Sequence, residues 1–150
     1  MVIELKNVFV NVEKGFTLNK RKVHQVLSLV CSELNVGISE MEINFVSSET
    51  MLAVNKKFLN HNYDTDIITF DYSNERDNLD GEIFISLAQA EKNGKLFRVS
   101  TDNELLRLIV HGVLHLIGYD DKIAARRKIM KKREDQLVKK FQKNVRSLIK

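Results

Sequence analysis

The sequence predicts an α+β domain: a small mixed β-sheet of about four strands packed with about five helices. Two observations carry that prediction. Short runs with the two-residue alternation or β-branched content of strands interleave irregularly with apolar stretches at helical spacing. In addition, Leu105 through Ile117 is apolar nearly all round, which marks a buried central helix. At 150 residues the chain is expected to form one domain, 1–150, with a core of its own.

The elements follow in order. MVIELKNVFV alternates apolar and polar residues, so 2–10 is expected as a strand. It has neither a charged leader nor a small-residue cleavage site, so it does not read as a signal peptide. Val23, Val26, Leu27, Val30 and Leu34 recur at helical spacing, giving a helix over 19–34 that Gly37 follows as a stop. Cys31 falls within that apolar pattern and is assigned to the core. Met41–Val46 alternates as a strand. Ser48–Glu49 opens a short helix carrying Met51, Leu52, Val54 and Phe58. The stretch 66–70 is β-branched and aromatic, 73–80 is polar and turn-like, and 81–86 is a further strand, so the two strands are expected to form a hairpin. A helix over 87–95 follows. Thr101 with Glu104 three residues on has the pattern of a capping box opening the central helix, and Gly118 ends it. A last amphipathic helix is expected over 122–147, with Met130, Leu137 and Phe141 on its apolar side.

Composition narrows the function classes. The hydrophobic content of 43% is ordinary for a globular protein, and no apolar run approaches membrane-spanning length. With Cys31 as the single cysteine, an internal disulfide and a thiolate zinc finger are both excluded, and a reduced, cytoplasmic setting fits. The net charge of +4 hides an asymmetry. Residues 122–150 hold 12 Lys/Arg against only Glu134 and Asp135, whereas residues 1–121 hold 12 against 18 acids. A polyanionic partner for the basic helix and a merely solvated face account equally well for such a split.

The chemistry concentrates in HGVLHLIGYDD, residues 111–121. His111 and His115 stand four residues apart and share one helical face, which the surrounding leucines and valines place inside the protein. Two buried imidazoles on an apolar helix need polar partners that the helix does not offer. The pattern therefore favours a bound metal ion over a hydrogen-bonded pair of core histidines. Gly112 is costly inside a helix by about 1 kcal/mol. Close approach of a substrate and a tight helix–sheet contact are equally good reasons for it. Glycine at this position also removes the glutamate base of the H-E-x-x-H peptidase pattern. A third ligand must follow the helix, where Asp120 and Asp121 are both available. Asp66 could orient a histidine, although capping a turn suits it better. His24 and His61 are expected on the surface or in loops, and Tyr119 either stacks on a base or closes the helix end by packing.

His111-Gly112-x-Leu114-His115-Leu116-x-Gly118-Tyr119-Asp120 closely resembles the signature of the YbeY family, metal-dependent endoribonucleases of ribosomal RNA maturation. Thr65-Asp66-Ile67-Ile68-Thr69-Phe70 is similar to that family's T-D-V-L-S-F strand. Gly81-Glu82-Ile83-x-Ile85-Ser86, followed by Gln89-Ala90, is similar to its G-D-I-x-I strand. Asn55 matches the asparagine before the first of these, and the likeness runs from about residue 40 to 134. The resemblance implies one zinc ion held by His111, His115 and Asp121, with Asp121 standing where the family has its third histidine. It implies a zinc-activated water that attacks an RNA phosphodiester. The expected role is single-strand-specific cleavage in maturing the 3′ end of 16S rRNA and in ribosome quality control, with the small ribosomal subunit as partner and no membrane. Leu59 stands where the family has an arginine, removing a charge that could hold phosphate. Two rivals therefore stay in view: an RNA- or ribosome-binding module with a structural metal, and a metal hydrolase of another substrate.

Overall fold

The computed structural model describes residues 6–61, 65–73, 75–145 and 148. Strands β1 (Val8–Val12), β2 (Gly37–Val46), β3 (Ile67–Asp71) and β4 (Asn78–Ser86) form one sheet in the order β1-β2-β4-β3. β2 runs parallel to both β1 and β4, while β3 returns antiparallel along β4 with Ile67 opposite Ile85. The expected mixed sheet and the expected hairpin are both present. Helices α1 (Lys20–Leu34), α2 (Ser48–Leu59), α3 (Leu87–Phe97), α4 (Thr101–Leu116) and α5 (Ala124–Phe141) surround it, and a 3₁₀ turn, Gln142–Val145, follows α5.

Strand alternation sorts the two faces of the sheet. Val8, Val10, Met41, Ile43, Phe45, Ile83 and Ile85 join Val23, Val26, Leu27 and Val30 of α1 and the apolar residues of α4 in one core. On the other face a smaller cluster of Val46, Met51 and Ile68 seats α2. Each such side chain removed from water contributes about 1.5–3 kcal/mol. Helix α4 draws most on this term, with eight apolar side chains among its sixteen residues buried. Cys31 is buried in the core as expected, and burial pushes its thiol up to about 12.

Several expected boundaries shift, each for a physical reason. The first strand lies at Val8–Val12, not 2–10, because that segment pairs with Met41–Phe45; residues 2–5 lie outside the described ones. β2 begins four residues earlier than the alternating stretch, because Gly37 and Ile38 pair with Asn78 and Leu79 before an irregularity at Ile38/Glu40. β4 likewise reaches back to Asn78, into the stretch read as a turn. The last helix gives way to the 3₁₀ turn after Phe141, and residues 146–147 lie outside the described ones.

The capping box is displaced by one residue. Ser100 is the cap, and its side chain accepts from Asn103 N. Ser100 and Thr101 are both cap-forming residues, and the earlier one takes the role. Glu104, freed from capping, is buried instead, 3% exposed. His24 is also buried, in α1, contrary to the expected surface position.

Candidate metal centre beside the central helix

Helix α4 is held against the sheet by Gly112. A Cβ there would lie 2.8 Å from Ile83 Cδ1 and 3.2 Å from Ile67 Cδ1. Of the two reasons open for this glycine, the tight helix–sheet contact is the one observed. Past α4, Gly118 takes φ +109°, a conformation that L side chains rarely adopt, and the chain reverses there.

Close contact on the Gly112 side leaves the histidines on a different flank. His111 keeps 29% of its side-chain surface exposed and His115 is exposed, which corrects the expectation that their face lies inside. The apolar residues around them bury the other flanks of α4, and the histidine flank borders a cavity of about 520 Å³. His111, His115 and Asp121 all line that cavity, together with Asn55, Leu59 and Asp66. Among the described residues no three His, Cys, Asp or Glu side chains are drawn together as closely as a metal ion would hold them.

Both imidazoles have their Nδ1 engaged on the protein side. His115 Nδ1 lies 3.1 Å from the carbonyl oxygen of Tyr119, so that nitrogen carries the proton and donates it. Tyr119 itself packs against the core, closing the helix end. His111 Nδ1 lies 3.5 Å from Oε1 of Glu134, a residue of α5 that is 6% exposed. The Glu134 carboxylate holds the His111 imidazole above its usual range, opposed by burial and assisted by Asp66 and Asp121. Arg107 lies 3.5 Å from Glu134 and 2.8 Å from Asp135, tying α4 to α5.

The two aspartates after the helix separate clearly. Asp120 Oδ1 accepts from Lys122 N at 3.1 Å and its Oδ2 lies 3.3 Å from Arg126 Nη1, so its carboxylate is spent on the turn. The backbone bond from Lys122, with Arg126 nearby, holds the Asp120 carboxyl below its ordinary range. Asp121 is the one of the pair that lines the cavity with the histidines. The Asp66 carboxylate accepts from Asn93 Nδ2 at 3.1 Å and acts on His111 through its charge.

The sequence patterns gave Glu134 and His61 no part in the site, although His61 is exposed and outside the helices and strands as expected. His61 lines the cavity, just past the end of α2. Leu59, 40% exposed, stands in the same wall.

The family model described as Endoribonuclease YbeY matches residues 6–142. This chain belongs to the YbeY family. The Endoribonuclease YbeY of Karelsulcia muelleri is 45% identical over 106 residues, covering 71% of this chain and 74% of the relative. That of Bacteroides thetaiotaomicron is 40% identical over 119 residues, with 79% and 86% covered. That of Cytophaga hutchinsonii is 35% identical over 128 residues, with 85% and 90% covered. Among solved structures, the solution structure of a Thermotoga maritima protein has a TM-score of 0.69 at 26% identity and covers 93% of this chain and 92% of its own. The family assignment and the arrangement of Asn55, Asp66, His111 and His115 around one cavity agree with the motifs that suggested YbeY from the residues alone.

Proposed function

We propose that this chain is a zinc-dependent, single-strand-specific endoribonuclease, one domain over 1–150. Its substrate in our reading is the 3′ end of 16S rRNA on the small ribosomal subunit, in the cytoplasm, with a role in ribosome quality control. The observation that supports it most is the shared cavity: two imidazoles with Nδ1 already engaged, and the Asp121 carboxylate, all on its wall. A ligand histidine characteristically donates its second ring nitrogen to a carbonyl or carboxylate, which fixes the tautomer and leaves Nε2 for the metal. Two nitrogens and one oxygen are donors that zinc accepts. His111, His115 and Asp121 would hold it. Bound there, zinc would lower the pKa of water and polarise a phosphoryl oxygen, the two needs of phosphodiester hydrolysis.

The chain's own residues do the rest. Tyr119 and Glu134 orient the imidazoles, and Asp120 and Arg126 fix the turn that carries Asp121. No helix among the described residues is long and apolar enough to cross a membrane. The test is cleavage of single-stranded RNA by purified protein and by His111→Ala and His115→Ala, with bound metal measured on all three. Both variants should stay folded, lose the metal and lose cleavage. Full occupancy in both would overturn the assignment.

Leu59 favours a second reading, an RNA- or ribosome-binding module whose metal is structural, because an aliphatic side chain in the cavity wall cannot pair with phosphate. Chelation separates the two. Loss of cleavage with the fold intact supports the enzyme, whereas unfolding supports the structural metal.

A further inference from the structure

A second cavity, of about 440 Å³, adjoins the first and shares Asp66, Ile67, His111 and Asp121 with it. Its remaining wall includes Phe97, Glu104, Arg107 and Lys131. Phe97 closes α3 and is 61% exposed, a large aromatic surface left in water. Glu104 is 3% exposed, and its Oε1 has no hydrogen-bond partner among the described residues, while Oε2 accepts from Asn93 at 3.3 Å. A buried acceptor without a partner is destabilising. Arg107 and Lys131 are drawn to Asp135 at 2.8 and 3.1 Å and face Asp66, Glu104, Asp121 and Glu134 in the same lining, so this wall carries an excess of carboxylates and is not a phosphate clamp.

An aromatic platform and a wall rich in carboxylate acceptors suit a planar ring with N–H donors better than a phosphate or an aliphatic chain. We propose that this second cavity is a subsite for a nucleobase next to the scissile linkage, with Phe97 as its stacking surface. The proposal rests on the ribonuclease reading, which puts single-stranded RNA in the first cavity. Unpaired bases are characteristically splayed onto aromatic side chains. The shared wall lets one strand occupy both cavities, the linkage at the histidines and the neighbouring base against Phe97. The volume falls within the roughly 300–1,000 Å³ typical of small-ligand sites.

The experiment compares wild type, Phe97→Ala and Phe97→Trp, in zinc-loaded protein, on a short single-stranded RNA whose cleaved linkage has first been mapped. The same RNA is made with an abasic residue on either side of that linkage. KM and kcat come from initial rates, and affinity from fluorescence anisotropy. Stacking contributions predict that Phe97→Ala raises KM about tenfold on intact RNA. kcat should be unchanged and Phe97→Trp should restore KM. One abasic position should raise KM for wild type by a similar factor, with no further loss in Phe97→Ala. A wild-type KM in Phe97→Ala overturns the subsite. So does a defect equally large on both abasic RNAs, which would mark Phe97 as part of the fold or of a protein-docking surface. If wild type binds RNA without cleaving it, the ribonuclease reading fails on its own, and the anisotropy comparison still decides the subsite.

Discussion

Glu134 reaches across from α5 to stand 3.5 Å from His111 Nδ1, so the first histidine of the motif is oriented by a residue 23 positions later in the chain. Glu134→Ala should weaken zinc binding about ten- to one-hundred-fold, the usual effect of losing a carboxylate behind a ligand imidazole. Glu134→Gln keeps an acceptor oxygen and should lose less. Arg107 retains Asp135 at 2.8 Å, so both variants should fold. Zinc competition against a chelator, beside a thermal melt, measures each effect.

Asp121 and Asp120 should respond oppositely to truncation. Asp121→Ala is expected to lose most of the metal affinity. Asp120→Ala should keep the metal and show only a small fall in Tm, because its carboxylate serves Lys122 N and Arg126. Asp121→His should keep metal and keep or raise cleavage, since a neutral ligand leaves more of the ion's charge to act on water. Metal content of the purified variants decides; retention in Asp121→Ala with loss in Asp120→Ala would reverse the assignment.

Gly112→Ala sets two effects against each other. Alanine favours the helix by about 1 kcal/mol. Its methyl would lie 2.8 Å from Ile83 Cδ1 in a filled core, and overpacking of that kind costs about 1–3 kcal/mol. A net destabilisation on the order of 1 kcal/mol is expected. Urea denaturation checks it, and a more stable variant would show that Ile83 yields easily.

Lys128 and Lys132 lie four residues apart on α5, are exposed, and make no ion pair among the described residues. Arg126 and Lys131 are instead held by Asp120 and Asp135. Reversing Lys128 and Lys132 to glutamate should weaken RNA binding. It should also lower the slope of log affinity against log salt by about 0.7 for each phosphate contact removed from a single strand. An unchanged slope would make this face a solvated one.

The residues that hold the fold were the easier ones to read. α4 and the β3–β4 hairpin follow from local patterns, an all-round apolar run and two strand-like segments about one polar turn. His111 and His115 were legible because their spacing is fixed by the helix. Their exposure was not, since it depends on which flank of α4 meets the sheet, and Gly112 decides that through Ile67 and Ile83 on distant strands. Glu134 was hidden in a tally of charges. Yet it falls on the same helical stripe as Met130, Leu137 and Phe141, all buried. A lone acid on an apolar stripe implies a buried partner. Glu104 misled for the opposite reason: its spacing from Thr101 fitted a cap, and only the choice of Ser100 as the cap left it to be buried.

The Glu134–His111 pairing also orders events in time. The ribosome makes the chain from its N-terminus, so the sheet, α4 and both histidines emerge before α5. Until α5 docks, His111 lacks the carboxylate that fixes its ring. A nascent chain also lacks Met130, Leu137 and Phe141 of the core until then, so one docking event both closes the core and sets the ring of His111.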